Sequence, residues 1–281
     1  MRRRAAVLGS PVRHSLSPLL HATAYDLLGL SGWNYEAYDV DAPGLADFLG
    51  GLDESWAGLS LTMPLKSAVL PLLDRSSELV RAVGGANTVL LGPDGRRGEN
   101  TDVPGMIAAL REHGVEAVEQ VGRACVLGAG ATAAAALAAL RALGETGPTV
   151  LVRDAGRTDP LHAAARRLGV RPVVEQWSDA GVAAVAGAQL VIATTPPDST
   201  DWLAQRLPDR VAGTLFDVVY APWPTALASA WSQRGGVVVG GLDLLVHQAV
   251  LQVALMTGEA LDVPGLVPAL RAAGERALRA P

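Results

Sequence analysis

Of the 23 lysine and arginine residues in this chain, one, Lys66, is lysine. It stands in Leu61-Thr62-Met63-Pro64-Leu65-Lys66. The arginine bias, with abundant Ala, Gly and Val and only two Ile, is that of a GC-rich genome. A lysine kept against that bias marks a position where arginine would fail. Arginine is a rigid fork that stays charged, whereas lysine is a compact charge that can give and take a proton. Lys66 is therefore the first candidate for acid–base work.

A second constellation is Val126-Leu127-Gly128-Ala129-Gly130-Ala131-Thr132-Ala133, a G-x-G-x-x-A between an apolar run and an Ala-rich helix. Gly128 permits a tight turn, Gly130 admits a pyrophosphate close to the backbone, and Ala133 lets the helix pack against the strand. Gly128, Ala129, Gly130, Ala131 and Thr132 are thus candidate dinucleotide contacts. The next strand ends Leu151-Val152-Arg153-Asp154-Ala155-Gly156-Arg157. Arg153 and Arg157 offer charge for a 2′-phosphate, which favours NADP over NAD, while Asp154 would oppose that phosphate if it turned toward the ribose.

These groups need a scaffold of alternating strands and helices. Apolar runs predict strands at Ala5–Leu8, Trp33–Tyr38, Gly58–Leu61, Cys125–Leu127, Thr149–Val152, Leu190–Thr194, Leu215–Val218 and Gly236–Val239. Ser17-Pro18 reads as an N-cap followed by Pro at the first helical position. Gly92-Pro93-Asp94-Gly95 joins Asn87–Leu91 to a strand after Arg96 as a hairpin. Helices are expected around Thr101–His113, Leu242–Thr257 and Val263–Leu278. The fold class is α/β with parallel sheets in two domains. Residues 1–101 with 242–281 form an N-terminal α/β domain to which the last helices return, and residues 102–241 form a Rossmann-like domain.

With 281 residues and 49% hydrophobic content, the chain can bury two cores. A net charge of −5 leaves no electrostatic footprint for nucleic acid. The basic start Met1-Arg2-Arg3-Arg4 is followed by an apolar run too short for a signal peptide, and no apolar stretch of about 18 residues predicts a membrane span. The single Cys125 lies in an apolar run, reads as a buried strand residue and fits a cytoplasmic protein. The five histidines show no ligand spacing, so no metal is expected.

Five further pieces accompany the glycine loop: His14-Ser15-Leu16-Ser17-Pro18, Thr62-Met63-Pro64-Leu65-Lys66, Gly84-Gly85-Ala86-Asn87-Thr88, Gly98-Glu99-Asn100-Thr101-Asp102, and Asp217-Val218-Val219-Tyr220 with Gly241-Leu242-Asp243-Leu244-Leu245-Val246-His247-Gln248. In this order, across nearly the whole chain, they resemble the shikimate dehydrogenase family. The resemblance implies reversible NADPH-dependent reduction of 3-dehydroshikimate to shikimate, a step toward chorismate and the aromatic amino acids. It implies that Ser15 and Ser17 hold the substrate carboxylate with Thr62 and Tyr220. Asn87, Asp102 and Gln248 would bond the ring hydroxyls, and Lys66 with Asp102 would be the catalytic pair. Thr194, Val218, Gly241 and Leu244 would join the cofactor site. The partners implied are small molecules, and the protein would be a monomer or homodimer.

The chain departs from the family pattern at Ser60-Leu61-Thr62, at Val152-Arg153-Asp154, at Gly84-Gly85-Ala86-Asn87-Thr88 and at Ala193-Thr194-Thr195-Pro196-Pro197. Relatives acting on quinate or amino-shikimate offer an alternative within the family, and Ser rather than Thr at position 17 favours shikimate. A non-catalytic metabolite sensor is the alternative from another class. It could keep the serines and the glycine loop but has no physical reason to keep Lys66 with Asp102.

Overall fold

A computed structural model describes residues 3–118, 123–259 and 263–279. Met1 and Arg2 of the basic start lie outside the described residues. The chain forms two compact units, Met1–Gly105 with Leu245–Pro281, and Met106–Leu244. Each has its own six-stranded sheet, and the architecture is α/β throughout.

In the first unit the elements run β1 (Arg3–Gly9), α1 (Ser17–Leu27), β2 (Trp33–Asp39), α2 (Leu45–Gly50), β3 (Trp56–Leu61), α3 (Leu65–Ala68), β4 (Arg75–Ser76), α4 (Glu78–Val83), β5 (Thr88–Gly92) and β6 (Gly95–Glu99). The sheet order is β2-β1-β3-β5-β6-β4. β1 pairs in parallel with both β2 and β3, whereas β5 runs antiparallel to β3 and to β6. The carboxyl ends of β1, β3 and β6 therefore meet the amino end of β5 on one edge. All of β3 is buried, as a strand covered on both faces requires. Leu8, Leu45, Leu59, Leu65 and Val89 lie at the centre of this core, each fully buried. The hairpin turn closes at Gly92 opposite Gly95, where Gly95 has φ +90°, a conformation that favours glycine.

α5 (Asp102–Glu112) leads onward to β7 (Ala124–Leu127), α6 (Ala131–Ala142), β8 (Thr149–Val152), α7 (Asp159–Leu168), β9 (Val173–Gln176), α8 (Asp179–Ala186), β10 (Leu190–Ala193), α9 (Asp201–Ala204), β11 (Thr214–Asp217), α10 (Ala226–Gln233) and β12 (Val237–Val239). The second sheet is all parallel, in the order β12-β11-β10-β7-β8-β9. Counted along the chain, its strands run 3-2-1-4-5-6 across the sheet, the doubly wound Rossmann arrangement with its switch point beside the first strand. Two helices close the chain, α11 (Gly241–Thr257) and α12 (Val263–Arg279).

Each strand predicted from the sequence is present, with ends that differ by at most two residues and with Thr149–Val152 unchanged. β4 and β9 were not predicted. β4 has only two residues, and β9 reads Val-Val-Glu-Gln, too polar and short for an apolar run. The N-cap at Ser17 is a correction. Leu16 occupies the cap position in a helical conformation, Ser17 is already helical, and its N–H donates to Ser15 Oγ at 3.2 Å. α1 has no side-chain cap at Leu16, and Ser15, two residues before Ser17, supplies the oxygen that meets the first helical N–H. Cys125 is buried on β7, and burial pushes its thiol up to about 12. Among the described residues no helix is long and apolar enough to cross a membrane.

Candidate active site

Along the edge where β1, β3, β5 and β6 meet, the chain places its polar motifs on short loops. β3 ends into Thr62 and the one-turn α3 that carries Lys66. Ala86 N–H donates to the carbonyl of Lys66 at 2.8 Å, tying that turn to the residue before Asn87. β6 ends into Asn100-Thr101-Asp102, and Asn100 Oδ1 accepts the Val103 N–H at 3.2 Å, capping α5 with Asp102 in its first turn.

The result is an ion pair between Lys66 Nζ and Asp102 Oδ2 at 2.6 Å, with side chains only 16% and 3% exposed. A pair this sheltered is screened far less than a surface salt bridge. On the carboxylate side a neighbouring amide adds a second bond, of the kind a buried charge requires. Asn87 Nδ2 donates to Asp102 Oδ1 at 2.9 Å and lies 2.8 Å from Thr101 Oγ1 and 3.0 Å from Gln248 Oε1. Asn87 Oδ1 in turn accepts the Thr101 N–H at 2.7 Å and the Thr88 hydroxyl at 3.0 Å. Both ends of the amide are thus engaged and its orientation is fixed.

Of the residues singled out in the sequence, Lys66, Asn87, Asp102 and Gln248 form one connected cluster. Ser15 and Ser17 lie together at the start of α1, where the Ser17 N–H donates to Ser15 Oγ. Thr62 leaves β3 beside Gly9 at the end of β1. A side chain at Gly9 would strike it. Tyr220 belongs to the other unit. Its loop is anchored by Asp217, which accepts the Val219 N–H at 3.1 Å and the Thr225 hydroxyl at 2.7 Å. Burial raises the Asp217 carboxyl above its ordinary value, against those two bonds.

Sequence motifs did not single out Tyr35, Ser60, Thr88, Thr101 or Gln252 as site residues. Tyr35 donates to Ser60 Oγ at 2.6 Å, Ser60 to Gln252 Oε1 at 2.9 Å, and Gln252 Nε2 to Thr88 Oγ1 at 3.1 Å. The available signal was Gln252 itself, a polar residue within Ala249-Val250-Leu251-Gln252-Val253-Ala254-Leu255, one helical turn after Gln248.

In the second unit the glycine loop follows β7 directly and opens α6. Gly128 has φ +110°, and a Cβ there would lie 2.7 Å from Thr194 Oγ1. Thr194 itself donates to the Leu127 carbonyl at 2.8 Å, so loop and threonine brace one another. Gly130 is exposed, and a Cβ there would protrude into open space. Among the described residues no side chain caps α6, and the first-turn N–H groups of Ala131, Thr132 and Ala133 have no side-chain acceptor there. An anionic pyrophosphate fits such a helix start. Ala133 is fully buried, the close helix packing that the motif requires.

Arg153 and Arg157 are exposed and form no salt bridge among the described residues. Asp154 Oδ1 accepts the Gly156 N–H at 2.9 Å and caps the short turn Ala155–Arg157, so one oxygen of this acid is engaged locally. A side chain at Gly241 would run into the Val218 carbonyl, so these two backbone segments are in direct contact, with Leu244 one turn further along α11.

Residues 7–89 match the family model described as the shikimate dehydrogenase substrate binding domain. The shikimate dehydrogenase (NADP(+)) of Methylobacterium radiotolerans is 39% identical over 259 residues, covering 88% of this chain and 88% of that protein. This chain belongs to the shikimate dehydrogenase family. Among solved members, the shikimate dehydrogenase of Mycobacterium tuberculosis superposes with a TM-score of 0.86 at 39% identity, covering 96% of this chain and 99% of that one. The shikimate 5-dehydrogenase of Thermus thermophilus, solved in complex with NADP(H) and shikimate, gives a TM-score of 0.80 at 34% identity, with coverage of 96% and 99%. The family's substrate-binding unit and Rossmann-like unit are both present in the fold.

Proposed function

We propose that this protein is an NADP-dependent shikimate dehydrogenase, reducing 3-dehydroshikimate to shikimate reversibly in the route to chorismate and the aromatic amino acids. The observation that carries the chemistry is the sheltered Lys66–Asp102 pair at 2.6 Å, already bonded to Asn87. Residues 1–101 with 242–281 would serve as the substrate domain and 102–241 as the cofactor domain.

NADPH, when bound, supplies the hydride that reduces the substrate ketone. The backbone from Gly128 to Thr132 would hold its pyrophosphate, Arg153 and Arg157 the 2′-phosphate, and Thr194, Val218, Gly241 and Leu244 the remainder. Lys66 stabilises the negative charge that develops on the carbonyl oxygen and delivers a proton to it. Asp102 orients the ammonium and accepts a bond from a neighbouring ring hydroxyl. Asn87 and Gln248 fix that ring. Ser15, Ser17, Thr62 and Tyr220 hold the carboxylate through hydroxyls, which grip an anion without adding a full countercharge. The protein acts in the cytoplasm as a monomer or homodimer.

Steady-state rates with shikimate and quinate, each with NADP and NAD, test this reading. Shikimate with NADP should be the fastest combination. Cofactor binding without turnover on either substrate would point instead to a metabolite sensor, and faster turnover of quinate would move the assignment within the family.

A further inference from the structure

We infer that Gln252 is a positioning residue for the catalytic pair, acting through Thr88 and Asn87 on Asp102. The inference rests on the function proposed above and extends it to a residue that need not touch substrate.

Hydrogen-bond direction is what singles Gln252 out. It is 3% exposed on α11, and its amide bridges two adjacent strands. Ser60 on β3 and Thr88 on β5 are direct cross-strand partners, and Gln252 bonds the hydroxyls of both. Burial drives the Tyr35 pKa well up, so its phenol stays protonated and donates to Ser60 Oγ. The single Ser60 hydrogen then goes to Gln252 Oε1. That leaves the Gln252 amide nitrogen facing Thr88 Oγ1 at 3.1 Å, with the Asn87 carbonyl 3.4 Å away. Because Thr88 Oγ1 accepts there, its one hydrogen is free for Asn87 Oδ1. Asn87, fixed in turn, presents Nδ2 to Asp102 Oδ1.

Tyr35, Ser60, Gln252, Thr88, Asn87 and Asp102 thus form one string in which every donor points the same way, toward the carboxylate that holds Lys66. A purely space-filling residue at 252 would maintain the packing but not the direction. Such a string polarises along its length and supports the ionised carboxylate at its end.

The test is the pH profile of kcat/KM for 3-dehydroshikimate reduction in the parent and in two variants, with shikimate affinity measured by calorimetry in the absence of cofactor. Gln252→Met keeps the volume and removes both polar functions. Thr88→Val is nearly isosteric and breaks the string one group further along while leaving the Ser60–Gln252 bond intact. In both, a weakened donor to Asp102 should move the acid limb upward by about one pH unit and lower kcat by about tenfold. Shikimate affinity should change less than kcat. If Gln252→Met does not fold, Thr88→Val decides. An active parent whose folded variants keep kcat/KM within about twofold and an unmoved acid limb overturns the inference. A parent that oxidises no NADPH with 3-dehydroshikimate overturns the functional reading itself.

Discussion

The two units build their candidate sites from different materials. In the first unit the site consists of side chains: Lys66, Asn87 and Asp102, from the segments that follow β3, precede β5 and follow β6, are joined with Gln248 of α11 by hydrogen bonds of 2.6–3.0 Å. In the second it consists mainly of backbone. Gly128 makes a turn that disfavours any side chain, Gly130 leaves space, and α6 offers uncapped N–H groups. The first arrangement suits a reaction in which charge develops at one atom. The second suits an anion recognised by its shape and charge. Substitutions should therefore act on chemistry in the first unit and on affinity in the second.

The sharpest break should come at Lys66. Lys66→Arg retains the positive charge but loses the compact shape and the transferable proton, so kcat should fall by about 10²–10⁴-fold. Cofactor affinity and melting temperature should stay near those of the parent. Near-normal turnover would remove the proton-transfer role and reduce Lys66 to a charge that arginine could supply.

Next is a pH effect confined to the first unit. His21 is fully buried, its ring stacked on Tyr35 at a centroid distance of 3.7 Å, and burial lowers its pKa from 6.5 to about 4. In the unfolded chain it takes up a proton at higher pH than in the folded one. Stability is thus fully present above pH 6.5 and is lost as the pH falls from there through about 4, by about 3 kcal/mol in all. His21→Phe keeps an aromatic ring at the stack and should flatten this part of a denaturation-against-pH curve; an unchanged slope would assign the loss to other groups.

In the second unit two glycines should separate. Gly130→Val points into open space, so it should leave stability intact while weakening NADPH binding by about 10–100-fold, the scale of lost bonds to a charged group. Gly128→Ala forces a Cβ into a left-handed turn against Thr194 and should cost stability as well, about 1–3 kcal/mol. Equal effects from the two would blur the contrast. The smallest change is expected from Arg153→Ser or Arg157→Ser, each shifting the NADP/NAD preference by about tenfold or less. Ratios of kcat/KM for the two cofactors would read it.

Legibility followed the same division. The glycine loop and the strands on either side are local in sequence, and their turn and packing requirements could be read from eight consecutive residues. The Lys66–Asp102 pair was reached through motif order, because nothing local joins residues so far apart in sequence. The string through Tyr35, Ser60 and Gln252 was missed for a related reason. It depends on the Ser60–Thr88 register and on a glutamine from the end of the chain. The Ser17 cap failed on a smaller scale, since a Ser-Pro pair does not show which of two nearby serines faces the free N–H. The orientation of Asp154 is set by a local turn rather than by residue type, with Oδ1 accepting the Gly156 N–H.

The α6 helix also bears on how this protein could change over time. From Ala133 to Leu140 every residue is buried, and six of these eight are Ala besides Leu137 and Leu140. Each alanine has little room to vary: a larger residue overpacks by about 1–3 kcal/mol and glycine costs about 1 kcal/mol of helix propensity. The exposed segment Arg153–Arg157 carries no such constraint. A lineage descended from this protein could therefore vary the exposed residues after β8 through a few surface codons while the packing of α6 stayed frozen.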